Sequence, residues 1–364
     1  MRFSRFFDSY CWLRDRSPVE RLGPSSRYVI VSDLLLGDGG KDDSFVRGRG
    51  LAEAVLRSAY LAQGHTLVLA GDTEDLRRFW YKDIMKAWRD LNGLFSEFAV
   101  HGSLRKLLGE RDLGLMRKPG FSVPLLHGLR LQSKGVELFV LHGHQASRYF
   151  AGLDYGDFLL RQMEKPFPVK DAKDLDDPGR LLRIELRLER ASRRLGIATL
   201  FGHTGRALFE SRSDYDYLRT SVEELLHRGA EEGKDGTKGD GLLDSLLGLY
   251  RKEIARLENS GEVPGPTLQE TCGGTLFPCL FNPGPALAGK GFNVLEIEGG
   301  MIRAVRWLKS DRVKRSLQSR ALRVEKLQVP GLARCVLREA ELDAVAEGIR
   351  LAGAAYKEHS GQPA

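Results

Sequence analysis

Four apolar, β-prone runs in this chain lead straight into short polar motifs. The runs are 27–32 (RYVIVS), 65–70 (HTLVLA), 136–141 (VELFVL) and 197–201 (IATLF). Val, Ile, Leu and Phe concentrated between Gly and Asp read as buried strands. The motifs at their ends are Ser32-Asp33-Leu34-Leu35, Gly71-Asp72-Thr73-Glu74-Asp75, His142-Gly143-His144 and Gly202-His203-Thr204-Gly205-Arg206. A fifth, Gly109-Glu110-Arg111-Asp112, stands between the second and third. A strand delivers its last residues to one edge of a sheet. Asp33, Asp72, Glu110, His142 and His203 are therefore expected on one rim. Oxygen and imidazole donors gathered there suit a divalent metal.

The intervening segments set the architecture. Residues 45–62 and 79–98 read as helical, and strand–helix–strand alternation implies a parallel or mixed sheet with helices on its faces. Phe3, Phe6, Phe7, Tyr10 and Leu13 recur at helical spacing, so residues 1–26 form an N-terminal amphipathic segment. Its aromatic stripe is expected to pack on the core. The arginines among it leave peripheral membrane contact as the alternative. Residues 146–195 elaborate the core and end in a charged helix near 180–194. A further insertion, about 207–271, holds a helix at 213–228, a Gly-rich hinge at 229–241 and a leucine-rich helix at 242–259. Those helices pair as a hairpin on the core or offer a surface for a homo-oligomer. Gly299-Gly300 between 293–298 and 301–307 marks a two-residue β-hairpin. Helices near 310–327 and 338–353 complete a helical C-terminal extension, 309–364.

Bulk properties exclude several classes. With 42% hydrophobic and 29% charged residues the composition is that of a soluble globular protein. No apolar run approaches the roughly 20 residues of a membrane span. Four scattered cysteines, without a CxxC pair, and the lack of a signal-peptide pattern point to a reduced, cytoplasmic protein. The net charge of +7 is concentrated in nine Lys/Arg between Arg303 and Lys326. That run reads as a solvated helix face. No nucleic-acid module accompanies it, so nucleic acid is not expected as a partner.

The order and wording of the five motifs resemble the calcineurin-like metallophosphoesterases, whose motifs read DxH, GDxx(D/N), GNH(D/E), a single His, and GHxH. The resemblance covers 27–308, apart from the insertion, and implies a β-sandwich of mixed sheets flanked by helices in an α/β (α+β) fold. It further implies two metal ions sharing one Asp. Carried over by position, Asp33 matches the first Asp, while Leu35 stands in place of its His. Asp72 matches the shared Asp. Glu110 replaces the Asn, and Arg111 the His that contacts the leaving group. His142 matches the single His, His203 the first His of GHxH, and Gly205 replaces the last. The closing Leu280-Phe281-Asn282-Pro283-Gly284 is also similar.

Both missing imidazoles serve the same ion, so the resemblance implies one retained metal site and one degenerate site. Asp72, Glu110, His142 and His203 would hold Mn, Fe or Zn, with Asp33 adding an oxygen. Arg111 would hold the phosphate of the substrate. Gly-x-Arg-Asp partly resembles the UDP-diacylglucosamine pyrophosphohydrolase branch, although that branch keeps both histidines lost here. The function implied is hydrolysis of a phosphodiester or pyrophosphate. The alternative is a catalytically inactive relative acting as a binding or scaffold module. Singly, Asp33 and His144 read as a turn residue and a core histidine, Asp75 and Asp112 as caps, and His65, His101 and His127 as structural.

Overall fold

A computed structural model describes residues 3–118, 123–133, 135–147, 178–234, 241–259, 279–288, 290–326 and 331–360. Among the described residues, two mixed sheets flanked by helices form the body. One has nine strands: β2 (Arg27–Val31), β3 (Thr66–Ala70), β4 (Leu104–Leu107) and β5 (Leu125–Leu126) run parallel in that order. Beyond β2 it continues antiparallel through β13 (Gly291–Glu298), β14 (Met301–Lys309), β16 (Leu332–Glu341) and β15 (Arg323–Lys326), with β12 (Leu287–Ala288) beside β13. The other has seven, in the order β1 (Val19–Arg21), β6 (Gly128–Ser133), β7 (Val136–Leu141), β8 (Ala198–Leu200), β11 (Leu280–Pro283), β9 (Ala207–Phe209), β10 (Arg212–Ser213).

Side-chain alternation explains the layering. In β2, Tyr28 and Ile30 join one buried cluster and Val29 and Val31 another; in β3, Val68 and Ala70 split from Leu67 and Leu69 in the same way. The first cluster also holds Leu138, Val140 and Leu200 of the seven-stranded sheet, so it fills the space between the sheets. The second lies under helices α2 (Arg49–Val55), α3 (Tyr81–Ala87) and α4 (Arg89–Val100). Helix α1 (Phe3–Arg16) buries Phe6, Tyr10 and Leu13, and Tyr10 meets Phe139 edge-on at 5.2 Å and Thr199 Oγ1 at 2.6 Å. The aromatic stripe therefore packs on the core. Helix α5 (Pro178–Leu195) and the start of α9 (Leu342–Ser360) add Leu188, Val345 and Ile349 to the same cluster.

The insertion helices pair as α6 (Asp214–Lys234) and α7 (Gly241–Asn259), joined through Leu218, Tyr250 and Leu257. The strands β9 and β10 precede them inside the sheet, and the first insertion helix begins at Asp214, one residue from the expected start at 213. Residues 148–177, 235–240 of the Gly-rich hinge and 260–278 lie outside the described residues. The Gly299-Gly300 hairpin forms as expected, with φ of +59° and +75° at the two glycines.

The C-terminal extension is a correction. Short α8 (Arg315–Arg320) and α9 are helical, but β15 and β16 intervene where helices were expected. Leu, Ala, Arg and Glu there favour helix locally. Pairing with the otherwise open edge of β14 overrides that weak preference. The basic run is corrected with it. Arg303 and Arg323 lie on strands and pair with Glu339 at 3.2 and 2.7 Å, instead of forming a solvated helix face. Among the described residues, no helix is long and apolar enough to cross a membrane.

Candidate metal centre

The parallel strands β2, β3 and β4 end at the same rim, and so do parallel β7 and β8 of the facing sheet. Each polar motif begins within three residues of such an end, which is how residues over a hundred positions apart meet. Asp72, His142 and His203 come closest. One ligand atom from each lies within 4.8 Å of the other two, with Asp72 and His142 buried and His203 half-buried.

The loops turn sharply to achieve this. Asp33, Leu35, Asp72 and His203 have φ between +52° and +66°, and these are four of the six non-glycine residues in that region among the described residues. Such backbone costs about 1–3 kcal/mol per residue and concentrates at functional loops. Close approach adds a second constraint: a Cβ on Gly109 would lie 2.0 Å from Asp72 Oδ1, and one on Gly202 would lie 2.6 Å from Asp33 Oδ2. Only glycine lets these loops touch.

Hydrogen bonds tie the motifs to one another. Asp33 Oδ2 accepts the His203 backbone N–H at 2.9 Å, and Asp72 Oδ1 accepts that of Arg111 at 2.8 Å. Asp112 was expected as a cap. It instead clamps two loops, accepting N–H from Gly109 at 2.6 Å and Thr73 at 2.9 Å. Asp75 likewise faces Arg111 (3.3 Å) and Arg78 (3.6 Å) rather than capping a helix. Asn282 Nδ2 donates to Gly202 O at 3.0 Å and Thr204 Oγ1 at 3.1 Å, fixing the loop that carries His203.

The buried charges are unbalanced toward the negative. Burial, with Asp112, Glu110 and Asp33 nearby, pushes Asp72 up to about 8 even against His142. Burial alone would lower His142, but Asp72 and Asp33 hold it up at about 9. Asp33 titrates below its usual value: burial would raise it, but the hydrogen bond and charge of His142, together with hydrogen bonds from Ser32 and the His203 backbone, outweigh that. Glu110 is also lowered: burial is overcome by His203, Arg77, His142 and Arg111. Its Oε2 is nonetheless buried with no hydrogen-bond partner among the described residues.

His144 completes the arrangement. It is fully buried, its Nδ1 lies 2.9 Å from His142 Nδ1, and burial keeps it neutral. His142, held protonated at neutral pH, donates its Nδ1–H to this neutral ring, and its Nε2 faces Asp33 at 3.4 Å and Asp72 at 3.5 Å. Metal-ligating histidines are commonly fixed through their other nitrogen in this manner.

Of the expected ligands, Asp72, His142 and His203 are brought into one group. Asp33 and Glu110 border it without belonging to the group. Arg111 lies beside it, its Nε 3.6 Å from Asp72 Oδ2 and its Nη1 3.3 Å from Asp75. Two contributors escaped sequence reading. Arg77, 3.5 Å from Glu110, carries no motif wording, and His144 was read as core although its His-Gly-His spacing was the available clue. Position 35 holds a half-buried leucine, and a Cβ at Gly205 would meet nothing within 4 Å. The donor set of carboxylates and imidazole, the orphaned Glu110 oxygen and the raised Asp72 together fit a divalent cation.

No family model matches the chain, and no curated protein does. Among solved structures it is similar to Yfce, a phosphoesterase from E. coli, at 12% identity and a TM-score of 0.30, covering 76% of this chain and 91% of that one.

Proposed function

We propose that the chain is a metal-dependent, phosphoesterase-like hydrolase of a phosphodiester or pyrophosphate, with one working metal site. The observation that carries this is the convergence of Asp72, His142 and His203 within 4.8 Å. Asp72, His142 and His203 would hold Mn, Fe or Zn, and Glu110 would add its orphaned oxygen. Bound there, the ion would polarise a phosphoryl oxygen and lower the pKa of water. Asp33 orients His142 and pins the His203 loop. His144 keeps His142 in the ligating tautomer. Arg111 is placed to hold a phosphoryl oxygen by exchanging its contact with Asp75, a task suited to a fixed guanidinium fork. The second site is degenerate, since neither Leu35 nor Gly205 can ligate.

The same two residues favour a second reading, an inactive protein that uses the fold as a binding or scaffold module. Metal content of protein purified without chelator, followed by hydrolysis of a chromogenic phosphodiester with Mn²⁺, separates the two. The hydrolase binds about one ion per chain, and His142→Ala lowers turnover by at least about a hundredfold. Metal-free protein that Mn²⁺ neither stabilises nor activates leaves only the binding module.

A further inference from the structure

A cleft of about 370 Å³ opens between the start of α6, the end of α7 and strands β9, β13, β14 and β16. Its floor is apolar, including Leu208, Val294, Val305 and Leu337. Its walls are basic: six lining side chains are arginines, against two acids, Glu210 and Asp214. Asp214 is engaged by Arg320 at 3.2 Å, and Arg320 also pairs with Glu253 at 2.9 Å. That leaves Glu210 facing both Arg212 and Arg338, and burial pushes its pKa above the usual carboxylate value. Arg338 lies 3.3 Å over the Tyr217 ring and is depressed by burial. Its one hydrogen bond among the described residues, from Nη1 to Leu337 O at 2.5 Å, uses one of five guanidinium donors. Two guanidiniums, Arg212 and Arg338, against the single Glu210 carboxylate leave this wall net positive, which favours an anion.

The cleft adjoins the metal centre. Gly205 and Arg206 line it, just past His203 on the same loop, and so does Asn282, which holds that loop. We propose that this cleft binds an organic phosphate with an apolar or aromatic body, its phosphate on Arg338 and Arg212 and its body on the apolar floor. Nucleotides and short-chain phospholipids share that chemistry, and the volume is in the range of small-molecule sites. Calling this ligand the substrate rests on the phosphoesterase reading; its binding does not.

The test is calorimetric titration of the full chain, in chelator-containing buffer, with ADP, dihexanoyl phosphatidic acid and inorganic phosphate. ADP or the phosphatidic acid should bind saturably and at least roughly tenfold more tightly than inorganic phosphate. Arg338→Gln and Arg212→Glu should each weaken that binding roughly tenfold. Arg212 is exposed, so its variant changes charge without disturbing packing, and melting temperatures of both are read alongside. Whichever probe binds identifies the source. No saturable binding of either, or binding that either variant leaves unchanged, overturns the proposal. Binding is read in chelator and turnover separately with Mn²⁺, so failure of the hydrolase reading would show as absent turnover with this binding intact.

Discussion

The Asp33 carboxylate accepts the backbone N–H of His203 at 2.9 Å, joining the first and last motifs across 170 residues and from one sheet to the other. The same carboxylate reaches His142 Nε2 at 3.4 Å through its second oxygen. Asp33 therefore acts on two histidines at once, whether or not it touches an ion. Its contribution is positional, and it explains how a half-buried Asp stays ionised in a crowded acidic site.

Metal affinity should rise with pH. Without metal, His142 is held up at about 9 and Asp72 at about 8, so the pair retains protons at neutrality that a divalent ion must displace. Each displaced proton makes the apparent affinity climb about tenfold per pH unit below those values. Mn²⁺ titrations at three pH values between 6 and 8 check this. A flat profile would mean that the ion, if bound, uses neither group.

On the proposed hydrolase reading, histidines placed at positions 35 and 205 should add a second ion. Leu35 and Gly205 both have φ in the left-handed region, +55° and +66°, so a histidine at 205 costs about 1–3 kcal/mol of backbone strain. Space is not the obstacle there. Leu35→His with Gly205→His should raise the metal stoichiometry above that of either single variant. Equal stoichiometry in all three would show that histidines at these two positions do not complete an ion site.

Much of this was legible in the sequence because it depends on local pattern. The strands ending at Val31, Ala70, Leu141 and Leu200 follow from apolar runs, and the turn at Gly299-Gly300 from its glycines. Asp72, His142 and His203 were readable from motif order. Less legible was whatever depends on a distant partner. Asp112 looks like a cap until Thr73 and Gly109 are brought beside it, and His144 like core until it meets His142. Residues 332–341 carry helix-forming side chains and become strand only because β14 offers an edge. The arginines of the cleft are spread from 206 to 338, a clustering that no window of sequence could reveal.

Acid should loosen the docking of the N-terminal helix. Burial would raise Glu137, but hydrogen bonds from Arg130, Arg14 and Gln132 bring it down to about 2. Arg14 donates from α1 at 2.6 Å, so this carboxylate ties the helix to β7. A depressed carboxylate contributes stability that is fully present above its unfolded value, about 4.3, and is lost as pH falls toward 2. Allowing for solvent screening, the contribution is about 1 kcal/mol. Glu137→Gln should therefore shift the urea midpoint downward at pH 7, and the difference should shrink as pH falls toward 2, where the native carboxyl is about half protonated. Hydrogen exchange places the effect. Faster exchange in residues 3–16 of the variant, with β2 and β3 unchanged, is the expected result. A uniform loss across the chain would show that Glu137 supports the whole sheet rather than the docking of α1.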